Sequence, residues 1–333
     1  MTEFRQVSPW EVPSFVRRVL TAFALPAALV LCCFSFASTA AADSVTLAPS
    51  SPGDYRWLNV ADQAYAATYQ STYNYGQAAV TFAYNPSAGV FAGVLTAANL
   101  KPNFAYQLKL SGTPGTAANE RIGLAGRWWE ETWSGTAWTG QNLNDKGSTG
   151  SSPNPNDATY YSERDVLDAT SPTGHHYKFT GYLVFDFFVT DDSGNASLVT
   201  QQDSSFHVLW KDPQSGQTYD SIKDGPEKSS TFDPNPASLA YLGTDYPATT
   251  RTIYGEWERL PDDGVFLAPG SYSARLVLTE ESFHGNVSQG AGNWAAAMEG
   301  TVAFAIVPEP ATITLFAAGF AALLARSRRR RSM

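Results

Sequence analysis

The chain has 333 residues, with 22 basic and 31 acidic side chains, a formal charge of −9 and only two cysteines. That acidity argues against nucleic acid or an anionic lipid surface as a partner, since both demand a cationic face. Two cysteines cannot make a disulfide framework, so stability must come from a core, and the chain is long enough to bury one large core or two smaller ones.

The first element is a leader. Arg17 and Arg18 precede an apolar stretch from Val19 to Phe36, which runs into Ala37-Ser38-Thr39-Ala40-Ala41-Ala42. Basic residues, an apolar core and small residues at its end describe a secretory signal with cleavage near Ala40 or Ala42. The leader exceeds the usual length of about 15–30 residues and carries Glu3 and Glu11, which leaves the export route open. The surroundings of Arg17-Arg18 fit twin-arginine export poorly. Cys32 and Cys33 lie in the apolar core, and Leu31 is not the small residue a lipoprotein site wants, so both are expected to leave with the leader. Residues 1–42 are therefore assigned as a signal peptide and 43–307 as an exported body. That body of 265 residues carries 14 basic and 28 acidic side chains, a net of −14, and no cysteine.

Within the body, alternation dominates. Val80, Phe82 and Tyr84 share one parity, as do Tyr106, Leu108 and Leu110. The same holds for Leu183 to Val189, for Phe206, Val208 and Trp210, for Tyr272 to Leu278, and for Val302, Phe304 and Ile306. Period-two patterns rich in aromatic and β-branched residues predict half-buried antiparallel strands. No stretch carries a helical stripe over three turns. The expected class is all-β, an antiparallel immunoglobulin-like β-sandwich with long loop insertions. Leu100-Lys101-Pro102 leading to Tyr106, and Leu267-Ala268-Pro269 leading to Tyr272, resemble the tyrosine corner of such sandwiches; an ordinary proline turn before a strand is the other reading. Two corners are compatible with two small sandwiches or one elaborated domain, and one is favoured because no linker separates two halves. Loops are expected over 141–176 and from Asp212 to Tyr246, and Asp191-Asp192-Ser193-Gly194-Asn195 is turn chemistry for a hairpin.

The densest candidate chemistry is Trp128, Trp129, Trp133 and Trp138, interleaved with Glu130, Glu131 and Asn142. Flat aromatic faces beside acids and amides suit a glycan, whose C–H faces stack while its hydroxyls bond to polar groups. Tryptophan also packs cores, and Trp128 and Trp129 must point to opposite faces of a strand, so at most one of them is expected to be exposed. A glycan-active hydrolase would need two carboxylates about 5–9 Å apart; Glu130, Glu131, Glu256, Glu258, Glu280 and Glu281 are available without a way to pair them. His175, His176, His207 and His284 show no metal-ligand spacing. Asp191, Asp192 and Asn195 lack the full calcium-loop pattern, and turn capping explains them. No nucleophile elbow, Walker loop or dinucleotide fingerprint is present, so neither an enzyme nor a cofactor is expected. The alternatives to a non-catalytic structural or glycan-binding matrix or envelope component are a secreted hydrolase and a metal-binding module.

The chain ends with Val307-Pro308-Glu309-Pro310, an apolar run over 311–325, and five arginines between Arg326 and Arg331. Fifteen residues at about 1.5 Å rise span about 22 Å, short of a hydrocarbon core of about 30 Å, but local thinning and snorkelling arginines allow insertion. The arginines stay cytoplasmic, which puts the body outside. Pro308 and Pro310 keep the junction extended. Val307, Pro308, Glu309, Pro310, Ala311 and Thr312, the Ala/Leu/Phe-rich run and the basic end resemble a PEP-CTERM sorting signal. The resemblance covers residues 307–333 alone. It implies recognition and processing by an exosortase, transient anchoring in the inner membrane, a surface or extracellular destination, and an association with exopolysaccharide. A plain C-terminal anchor would share the topology without the cleavage.

Overall fold

The computed structural model describes residues 42–51, 55–60, 63–143, 155–202, 206–211, 228–232, 251–257, 266–280 and 295–307. The leader up to residue 41, residues 212–227 and 233–246, the acids Glu258 and Glu281, His284 and the tail from Pro308 onward lie outside the described residues; the loop expected from Asp212 to Tyr246 is not all loop, since residues 228–232 are strand. So do residues 144–154.

The body is mostly antiparallel sheet. In chain order the strands are β1 (Asp43–Pro49), β2 (Ala79–Tyr84), β3 (Ser87–Ala88), β4 (Ala92–Ala98), β5 (Ala105–Ser111), β6 (Arg127–Trp133), β7 (Trp138–Leu143), β8 (Tyr177–Val189), β9 (Ala196–Gln201), β10 (Phe206–Lys211), β11 (Lys228–Phe232), β12 (Arg251–Trp257), β13 (Gly270–Glu280) and β14 (Ala295–Ile306). All six predicted alternating segments are strands, but half-burial fails for two of them: β5 is buried along its whole length and β8 on both faces from Gly181 to Phe188, because each lies inside the sheet with layers on either side. Among the described residues, one sheet of 11 strands follows the order β7-β6-β8-β5-β13-β14-β1-β2-β4-β9, with β3 beside β14, and a second sheet holds β10-β12-β11.

The large sheet hinges at β1. Asp43 to Leu47 pair with β2, whereas Ala48 and Pro49 pair with Glu299 and Met298 of β14. The sheet thus bends back so that both arms present apolar faces to one core. Phe82 of β2 meets Phe185 of β8 at 6.3 Å, and Phe91 stacks on Phe304 at 4.2 Å. Val80, Phe82 and Leu95 from one arm join Leu108, Leu110, Leu276, Leu278 and Val302 from the other. The all-β expectation holds. The single continuous strand path gives no support to the immunoglobulin-like detail.

Both corner tyrosines bond back to upstream backbone. The Tyr272 hydroxyl donates to the Ala268 carbonyl at 2.6 Å, and the Tyr106 hydroxyl accepts from the Lys101 amide at 3.1 Å. Their strands, β5 and β13, are neighbours in the same sheet, from Arg275 opposite Ser111 to Glu280 opposite Tyr106.

Two further expectations are corrected. The Asp191–Asn195 turn is real, with Asp191 Oδ1 accepting from the Ser193 and Asn195 amides. It does not close a hairpin: β8 pairs with β5 and β6, whereas β9 pairs with β4, so the turn carries the chain from one arm to the other. The 141–176 segment is not all loop either. It holds the end of β7 and a helix, α3 (Pro155–Glu163), which begins on proline, where a missing N–H costs nothing. Two further helices are α1 (Ala67–Thr72) and α2 (Ala117–Ala125). All three are shorter than three turns, too short to print a stripe. Thr116 caps α2 by accepting from the Asn119 amide. Asn119 then bonds across to β8, donating to the Phe179 carbonyl and accepting from the Gly181 amide.

Candidate functional site

Strands β6 and β7 form a hairpin at one end of the large sheet. Its turn is fixed by Ser134, whose amide donates to the Ala137 carbonyl while its hydroxyl accepts from the Ala137 amide. Gly135 supplies a left-handed φ of 92°. The register sets Trp133 opposite Trp138, Glu131 opposite Gly140 and Trp129 opposite Asn142. Since side chains alternate along a strand, Trp129, Glu131, Trp133 and Trp138 share one face.

On that face all three tryptophans are half-buried. The Trp133 and Trp138 rings lie 5.3 Å apart at 59°. The Trp129 indole covers Gly140, where a Cβ would collide with its ring nitrogen. Lys178 of β8, opposite Glu131, joins the two ends: its Nζ is 2.8 Å from Glu131 Oε2 and 4.8 Å from the Trp138 ring centre. The Trp133 indole N–H donates to the Thr170 hydroxyl at 3.2 Å. Thr170 donates in turn to Asp168 through its hydroxyl and its amide, and Asp168 meets His176 at 3.1 Å. The Thr170 hydroxyl and the His176 ring hold the Asp168 carboxyl down at about 2. The result is an aromatic platform with fixed rings and both signs of charge between them.

Trp128 is not part of that platform. It points to the opposite face and is fully buried, stacked on Tyr160 of α3 at 3.9 Å and 10° and set edge-on to Phe179. Its N–H donates to Asp157, and its ring fills the space that Gly123 of α2 leaves open. It is a packing residue, and the glycan candidates narrow to Trp129, Trp133 and Trp138. Glu130 lies on the buried side, so Glu130 and Glu131 cannot face one another across a cleft. His207 is opposite Glu256 in the β10–β12 register. Among the described residues no group of three or more His, Cys, Asp or Glu could hold a metal ion.

Sequence reasoning missed a second locus. Lys101 and Glu280 are both fully buried and lie 2.5 Å apart. Lys101 Nζ also donates to the Arg56 carbonyl at 2.5 Å, and Glu280 accepts from the Tyr75 hydroxyl and the Arg56 amide. The Tyr75 and Tyr106 hydroxyls are bonded to each other at 3.0 Å. Trp57, Phe104, Tyr55 and Tyr75 surround the amine at 4.1, 4.7, 5.3 and 5.8 Å. Burial pulls Lys101 down to about 8 against the opposing pull of Glu280, and it pushes the Tyr75 and Tyr106 hydroxyls far up. The available signal was a lysine inside a Leu-x-Pro corner, downstream of a tyrosine-rich stretch. Nothing in the local pattern pointed to Glu280, which comes from 179 residues away.

Val307 marks where the sheet ends: its amide donates to the Ala88 carbonyl at 3.0 Å, the last such bond before Pro308. Residues 307–330 match a family model described as the PEP-CTERM protein-sorting motif. The motif implies an exported protein with a membrane-associated sorting signal, processed by exosortase, a membrane enzyme. No helix among the described residues is long and apolar enough to cross a membrane, and the 311–325 run lies outside them. No curated protein and no solved structure matches the chain.

Proposed function

We propose that the body is a non-catalytic component of the cell surface or extracellular matrix that binds glycan through Trp129, Trp133 and Trp138, and that exosortase releases or retains it there. The observation that supports this reading is the platform itself: three half-buried indoles on one face at the end of a sheet, with Glu131 and Lys178 set among them. A sugar ring stacking on such faces buries its C–H surface, while its hydroxyls can donate to Glu131 and accept from Lys178. Exopolysaccharide is the partner class that combines this chemistry with an exported destination.

The test is retention of the exported protein on immobilised exopolysaccharide from its native host, and on a glycan array. The combined variant Trp129→Ala, Trp133→Ala and Trp138→Ala is expected to lose retention while keeping the wild-type circular-dichroism spectrum. Full retention by that variant, or no retention by the wild type on any glycan, would reject the reading. For the sorting half, replacing Pro308, Glu309 and Pro310 with alanine should leave uncut chain in the membrane fraction. Unchanged processing of that variant would count against it.

A further inference from the structure

We infer that Lys101 and Glu280 condense to an intramolecular amide, a covalent cross-link between the turn that opens β5 and the end of β13. The geometry favours it in three ways. First, Glu280 Oε1 lies 2.5 Å from Lys101 Nζ. The carboxyl carbon that the amine must reach, at about 3–3.5 Å, is one bond beyond that oxygen. Second, both groups are fully buried, and the rings of Trp57, Phe104, Tyr55 and Tyr75 close around the amine. A dry site works against the ammonium and keeps out the water that would reverse the reaction. The rings also attract an ammonium, but lost hydration outweighs them, since Lys101 is drawn down to about 8. Third, every polar partner the reaction needs is in place. The Arg56 amide donates to Oε2 and the Tyr75 hydroxyl to Oε1.

The reaction balances without any added reagent. Proton transfer from the ammonium to the carboxylate gives the neutral pair. Nζ attacks the Glu280 carboxyl carbon, and Oε2 takes up negative charge against the Arg56 amide. Tyr75 passes a proton to Oε1 and recovers one from the attacking nitrogen. The C–Oε1 bond breaks and Oε1 departs with two protons as water. The product amide keeps Oε2 on the Arg56 amide and its own N–H on the Arg56 carbonyl, while the Tyr75 hydroxyl retains Tyr106. Only the acceptor that Oε1 offered to Tyr75 is given up. The exported body has no cysteine, so a bond of this kind would be its covalent staple, independent of any glycan.

Intact-mass spectrometry of the exported protein, isolated from its native host and denatured, decides the matter. The expected mass is one water below that of the processed sequence, and proteolysis should yield a branched peptide joining Lys101 to Glu280. Glu280→Ala should restore the full mass, and Tyr75→Phe should leave a large uncross-linked fraction. A wild-type mass equal to the sequence, with Lys101 and Glu280 recovered in separate linear peptides, would show an ion pair only and overturn the inference. That measurement needs no variant, so a misfolding substitution cannot obscure it.

Discussion

Replacing Trp128 with alanine is the sharpest check on which tryptophans belong to the core. The side chain is fully buried and its ring is 3.9 Å from Tyr160. A buried indole removes about 150–250 Å² from water, which at about 25 cal/mol per Å² amounts to roughly 4–6 kcal/mol. Alanine keeps part of that area, the lost stacking and the residual cavity add to the cost, and large aromatic deletions in cores cost about 3–5 kcal/mol. The expected loss for Trp128→Ala is therefore about 3–5 kcal/mol, a fall in Tm of about 6–20 °C for a chain of this size. Trp133→Ala, half-exposed and held by one hydrogen bond and one ring contact, should cost only about 1 kcal/mol. Urea titrations of both variants, followed by circular dichroism, give the comparison. Equal losses, or a loss below about 1 kcal/mol for Trp128→Ala, would refute the division of the hairpin into a packing face and a platform face.

Tyr272→Phe removes the bond to the Ala268 carbonyl and should cost about 0.5–1.5 kcal/mol by chemical denaturation, with the native spectrum retained. Gly194 has φ 75° and its Cβ position overlaps the Leu100 carbonyl oxygen, whereas Gly115 at φ 80° faces open space. Gly194→Ala should thus lower Tm well beyond Gly115→Ala, and equal shifts would contradict the close approach. In a carbon-13 titration, the Asp168 carboxyl should titrate near 2, and Thr170→Ala should move it up toward the ordinary carboxylate value. Because the folded value is depressed, the unfolded chain binds more protons in this range. The contribution to stability is then present above the ordinary carboxylate pKa and lost as pH falls through about 2.

The strands were legible because their alternation is local. A run such as Val80, Phe82 and Tyr84 declares its buried face without reference to any partner. The tail was legible for the same reason, as breaker, apolar run and basic end follow one another directly. What stayed hidden depends on pairing at a distance. The direction of the turn after Val189 is set by β4, which takes β9 as its neighbour. The fate of Trp128 is set by α3, whose nine residues carry too little periodicity to predict. Alternation did separate Trp128 from Trp129, but only the packing of Tyr160 and Phe179 said which of them is inside. Glu280 met Lys101 only through the β13–β5 register, and no spacing along the chain encodes that meeting.

The pairing of Ala48 with Glu299 has a consequence for the order of folding. The first strand of the body hydrogen-bonds to the last, so the large sheet cannot be completed until nearly all of the body has been made. Until then Ala48 and Pro49 of β1 lack their β14 partners, and an unfilled strand end of that kind is open to pairing with neighbouring copies. The sorting motif starts where that last strand stops. A cut beyond that point leaves every described strand whole, since none of them extends past Ile306.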